Sequence, residues 1–118
     1  MVRIKRAYDP PERGDGRRLL VERLWPRGVK KESLDVEGWL KDVAPSAELR
    51  RWFNHDPKKW DKFRQRYFRE LEKHPGAWEP LLARARHGRV TLVFSASDTQ
   101  YNNAIALKQF LESKANRR

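Results

Sequence analysis

The run Val90-Thr91-Leu92-Val93-Phe94 constrains this chain more than any other segment. It is apolar almost throughout and lacks polar alternation, so both of its faces must be buried. Gly88 before it and Ser95 after it mark its ends. A strand buried on both faces is central in its sheet, and sheets built on such strands are at least partly parallel, with helices over them. The expectation is an α/β fold: a small mixed or partly parallel sheet covered by helices.

The other elements fit around that strand. Val2 to Tyr8 begins with apolar/polar alternation and reads as a strand with one buried face. Asp9 to Gly16 is dense in turn formers and reads as a loop. Arg18 to Trp25 reads as a second strand, mostly buried and stopped by Pro26, before a basic loop over 26–31. Residues 35–42 suggest a short helix with Val36, Trp39 and Leu40 on one side. Ser46 caps a second short helix carrying Leu49, Trp52 and Phe53. Asp56-Pro57 is the N-cap and N1 pair expected at a helix start. Trp60, Phe63, Tyr67 and Leu71 then form one apolar stripe. Trp78, Leu81, Leu82 and Ala85 support a further helix closed near Gly88, and Ala104, Leu107, Phe110 and Leu111 a final one. Residues 1–113 form a single domain on this reading, and 114–118 a polar tail that frays.

Length agrees, because 118 residues leave room for one core. Apolar residues are few, at 38%, but five Trp, five Phe and three Tyr supply bulk. Cysteine is absent, which excludes disulfides and thiolate metal sites. The histidines at 55, 74 and 87 have no metal-ligand spacing, and no Walker loop or GxGxxG motif points to a cofactor. No apolar run is long enough to span a bilayer and no signal peptide opens the chain, so the cytoplasm is the expected location, with no membrane partner.

Charge carries the functional signal. Lys and Arg number 27 against 16 Asp and Glu, a net +11. Residues 1–31 hold ten cations and four anions, 32–78 ten and nine, and 79–118 seven and three. A field of this kind attracts anionic ligands and polyanions. Dense charge without cysteine is also a thermophile's composition.

Three segments offer chemistry. Arg23-Leu24-Trp25-Pro26-Arg27-Gly28 sets two arginines around a rigid turn at a strand end. The planar guanidinium fork suits phosphate or carboxylate, so Arg23 and Arg27 are candidate ligand-binding residues. In Asn54-His55-Asp56-Pro57, His55 could transfer a proton near neutral pH, while Asp56 reads either as a helix cap or as a catalytic acid. Ser95-Ala96-Ser97-Asp98 with Asn102-Asn103 follows the central strand and precedes a helix, the place where open α/β sheets bind ligands. Ser95 and Asn102 are candidate ligand contacts there, and Asp98 a candidate catalytic acid.

Taken in order, Val21 to Gly28, Trp39 to Asp42, Ala44-Pro45-Ser46, Glu48-Leu49-Arg50, Trp52-Phe53, His55-Asp56-Pro57, Thr91-Leu92-Val93, Asp98 and Asn102-Asn103-Ala104 resemble the YeaO-like family, domain of unknown function 488. The resemblance covers nearly the whole chain and implies a small cytoplasmic α/β domain. Many relatives carry Asp where this chain has Glu22, and Ala-Lys-Asp where it has Ala96-Ser97-Asp98. The sequence thus points to an enzyme or ligand-binding domain for a small anionic or nucleotide-like molecule. The alternative is a nucleic-acid-binding module using the basic surface.

Overall fold

In the computed structural model, which describes residues 2–116, Val90–Phe94 lies between two other strands. The strands are β1 (Val2–Arg6), β2 (Arg17–Leu20), β3 (Gly38–Trp39) and β4 (Val90–Phe94). Their order is β1-β4-β2-β3 and every pairing is parallel. The sheet is thus parallel throughout the described residues, the stricter form of the partly parallel sheet expected. All five residues of β4 are buried, as its unbroken apolar run requires.

The two faces of the sheet are covered differently. Leu19, Val90, Leu92 and Phe94 join the large core with α2 (Ala47–Phe53), α3 (Trp60–Glu72), α4 (Pro75–Arg86) and α5 (Asn103–Ala115). The α3 stripe of Trp60, Phe63, Tyr67 and Leu71 is buried as its spacing predicts. Tyr67 keeps its hydroxyl satisfied by donating to the Val43 carbonyl, and Trp78 Nε1 donates to Leu71 O at 2.8 Å. On the other face, Leu20 and Val93 meet Ala7 and Leu34, the last from the one-turn helix α1 (Lys31–Leu34). Trp25 and Trp39 close that cluster edge-on, 5.4 Å apart.

Two sequence expectations change here. The second strand ends at Leu20 and not at Trp25. Val21 N–H still donates to Val93 O at 3.0 Å, but the chain then leaves the sheet and carries Trp25 back over its second face. The stretch 35–42 is not one helix, and only its last two residues enter a 3-10 turn, Lys41–Val43. Asp35 closes α1 in the left-handed region at φ 50°, and the strand β3 follows. Trp39 packs on the small cluster and Leu40 against the large core, so neighbouring residues serve opposite faces. That is strand periodicity, and a helix cannot supply it. The last helix includes Lys114, whose Nζ donates to Glu72 Oε1 at 2.6 Å, and ends at Ala115. Arg117 and Arg118, the end of the expected tail, lie outside the described residues.

Near the amino edge a charged network replaces apolar packing. Asp15, 1% exposed, accepts from Arg18 Nη1 at 2.6 Å and from Lys5 Nζ at 3.1 Å. Arg18 also donates to Leu34 O and Asp35 O, and Thr91 Oγ1 donates to Asp15 O. Gly16 makes this approach possible: at φ 64°, a Cβ there would lie 2.4 Å from Arg89 O.

Candidate functional site

A parallel sheet ends all its strands on the same edge, so the loops after β1, β2 and β4 converge at their carboxyl ends. A cleft of about 950 Å³ opens there. The β1 end contributes Arg6 and Tyr8, the β2 end Glu22, Arg23 and Leu24, and the β4 end Ser95, Ala96 and Ser97. Asn102 and Asn103 come from the start of α5, Arg50 and Arg51 from α2, and His55 from the turn after it.

The position of α2 follows from its cap. Ser46 Oγ accepts from Leu49 N–H at 3.1 Å, the capping role its sequence position predicts. Its hydroxyl and backbone N–H in turn donate to the two oxygens of Glu70 on α3, at 2.6 and 2.9 Å. Arg23 ties the preceding loop to the end of β2, donating to Pro45 O at 2.8 Å and Ala44 O at 3.4 Å. These contacts fix the start of the helix that carries Arg50 and Arg51. Neither of those side chains makes a hydrogen bond or ion pair with another described residue.

After α2 the backbone is strained. Asn54 and His55 both adopt left-handed conformations, at φ 47° and 54°. Asparagine tolerates this region, whereas for histidine it costs about 1–2 kcal/mol. Strain of this sort gathers at ligand sites, where surrounding structure holds it. Here it leaves the His55 ring exposed at the cleft, 6.4 Å from Phe53. Asp56 Oδ1 accepts from Lys58 N–H at 3.0 Å, so Asp56 caps the short turn Pro57–Lys59 that leads into α3.

Glu22 is the acid in the cleft. Burial pushes its carboxyl above the usual carboxylate range, against the lowering effect of the Ser95 N–H and hydroxyl and of the Arg50 and His55 charges. The Ser95 N–H donates to Glu22 Oε2 at 2.9 Å. Against this one carboxylate the lining sets four arginines, Arg6, Arg23, Arg50 and Arg51, together with His55. The local field therefore favours an anion.

The cleft brings together Arg23, His55, Ser95 and Asn102 of the residues read from the sequence. Asn102 is already occupied: buried at the N-cap of α5, it accepts from Ile105 N–H and donates to Asp98 O, each at 2.9 Å. Asp98 is not part of the lining. Its Oδ1 accepts from Tyr101 and Gln100 N–H groups at 3.0 and 2.8 Å, and these bonds hold its carboxyl below the usual range despite some burial. Arg27 is exposed outside the lining, and its carbonyl accepts from the Tyr8 hydroxyl at 3.1 Å. Arg6, Glu22, Arg50 and Arg51 are not singled out as site residues by the sequence, whereas Asn103 falls in the segment read there as a polar pocket. For Arg50 and Arg51 the sequence holds no signal, since adjacent arginines on a short helix read as its solvated face. Among the described residues no three His, Asp or Glu side chains gather to hold a metal, and no helix is long and apolar enough to cross a membrane.

Comparison with known proteins agrees over the full length. The chain is 41% identical over 112 residues to the uncharacterized protein YeaO of Escherichia coli strain K12, covering 95% of this chain and 97% of that one. It is 39% identical over 115 residues to the uncharacterized proteins Mb3100c of Mycobacterium bovis and Rv3073c of Mycobacterium tuberculosis, covering 96% of this chain and 95% of each. No solved structure matches it. Residues 1–118 match the family described as the inactive DUF488-N3 subclade, and the chain belongs to that family.

Proposed function

We propose that this domain holds a small anionic molecule in the cleft at the carboxyl edge of its sheet, and binds it without turning it over. The observation that carries this reading is the pair Arg50 and Arg51. Both line the cleft, and neither has an acceptor among the described residues. Arginine is the side chain best matched to phosphate or carboxylate, and here it stands beside Arg6, Arg23 and His55. The case for turnover is weaker. Asp56, the acid beside His55, caps the turn before α3, Asp98 accepts from N–H groups of its own loop, and the subclade is described as inactive.

Titration calorimetry with inorganic phosphate and pyrophosphate tests the reading. Arg50→Ala and Arg51→Ala should each weaken binding about tenfold or more, the worth of one charge-assisted hydrogen bond. Arg86→Ala, exposed on α4, should leave it unchanged. Equal effects from all three variants would remove the cleft from consideration.

A second reading, nucleic-acid binding, has one observation of its own. At the amino edge Arg3 and Arg89 both donate to Gly14 O, at 3.0 and 2.7 Å, and neither has a carboxylate partner among the described residues. That reading expects RNA or DNA affinity that falls steeply with salt and ignores Arg50→Ala.

A further inference from the structure

Among the described residues two large hydrophobic side chains are exposed, Leu24 at 68% and Tyr8 at 47%, and both line the same cleft. Isolated apolar groups on a surface need no explanation, but a coincidence of both with the basic cleft does. They stand on the loops after β2 and β1, the two strands that flank β4. Between these loops runs Ser95-Ala96-Ser97, and Ala96 O accepts from Arg6 Nε at 3.0 Å. The Arg6 guanidinium in turn lies 5.1 Å from the centre of the Tyr8 ring, so one face of that ring is backed by a cation. The Tyr8 hydroxyl is anchored on Arg27 O. Tyr8 is therefore held as a plate, at a wall that also includes Leu24 and Ala96. The arginine-rich wall comes instead from α2, with Arg50 and Arg51.

We infer that the ligand is a nucleoside phosphate, with its flat base against Tyr8 and Leu24 and its phosphate against Arg50 and Arg51. This rests on the cleft being an anion site, and adds what the anion carries. A bare phosphate would leave the apolar wall wet, whereas a flat heterocycle covers it and stacks on the aromatic plate. The volume of about 950 Å³ suits a mononucleotide, lying at the upper end of what small-ligand sites enclose.

The experiment compares adenosine monophosphate, ribose 5-phosphate and a 5′-phosphorylated dinucleotide by calorimetry on the full chain. The base should tighten binding about tenfold over ribose 5-phosphate, the lower range of base-on-aromatic stacking. The double variant Tyr8→Ser/Leu24→Ser should abolish that gap while ribose 5-phosphate binds within about twofold of before. Tyr8→Phe, which keeps the plate, should retain the gap. Equal affinity for the monophosphate and ribose 5-phosphate would overturn the inference and leave the anion site standing. Failure of every phosphate to bind would end both. A dinucleotide at least tenfold tighter than the mononucleotide would assign the cleft to the end of a nucleic acid and overturn the small-ligand assignment. Self-association of the wild-type chain in sedimentation, lost in the double variant with ligand affinities unchanged, would assign the apolar pair to a second copy of the chain and also overturn it.

Discussion

Removing the Asp15 carboxylate should destabilise this domain more than any change at the cleft. Asp15→Ala leaves Arg18, 5% exposed, without the partner that accepts its Nη1 at 2.6 Å. Lys5 suffers less, because Glu12 Oε1 still accepts from it at 2.6 Å. Breaking a buried pair from one side costs about 3–5 kcal/mol. Arg18 retains the carbonyls of Leu34 and Asp35, which places the expected loss at the lower end, about 3 kcal/mol. For a chain of this size that lowers the melting temperature by on the order of 10 °C. The loss should also depend on pH. Burial pushes the Asp15 carboxyl up, but the Glu12 N–H, Arg18 and Lys5 together outweigh it and hold the folded value below the ordinary one. Its contribution is thus complete above the unfolded carboxylate range, about pH 4, and fades as pH falls through the lower folded value. Urea unfolding of wild type, Asp15→Ala, Arg18→Met and the double variant measures this directly. The double variant should cost less than the two singles combined, since no orphaned charge remains. A loss below about 1 kcal/mol for Asp15→Ala, or strict additivity, would refute the reasoning.

At the cap before α3, Asp56→Ala should cost about 0.5–2 kcal/mol while Asp56→Asn and Asp56→Ser restore most of it, read by chemical denaturation; phosphate affinity should not move, and a collapse of binding in Asp56→Asn would contradict the capping role. Glu22→Gln should stabilise the fold above about pH 5 and make no difference well below pH 4. The sign follows because burial raises the folded carboxyl, so its ionisation costs stability as pH rises through the unfolded value. The same variant removes the cleft's carboxylate and should tighten phosphate binding, and weaker binding would show that Glu22 holds the ligand.

Much of this architecture was legible because single segments specified it. Five apolar residues without alternation placed β4 in the sheet interior, and Ser46 and Asp56 announced their helix starts. The errors arose where one pattern served two purposes. Leu24 and Trp25 extend the apolar run of β2, yet one lines the cleft mouth and the other folds back over the sheet. Val36, Trp39 and Leu40 match a helical face, yet Trp39 and Leu40 pack on opposite sides of an edge strand. The cleft was half visible. Residues at strand ends, such as Arg23 and Ser95, could be inferred from the rule for parallel sheets. Arg50 and Arg51 could not, because arginines on a short helix read as its solvated face. Only the docking of α2 through Ser46 and Glu70 sets them over the strand ends.

The cleft as an anion site is tested most directly by amide NMR during a phosphate titration. Binding there should shift Ser95, Ser97, Asn103 and His55 in a saturable way, with Arg3, Gly14 and Arg89 at the opposite edge unmoved. Saturable shifts at Arg3, Gly14 and Arg89 with none at Ser95 or His55 would contradict it.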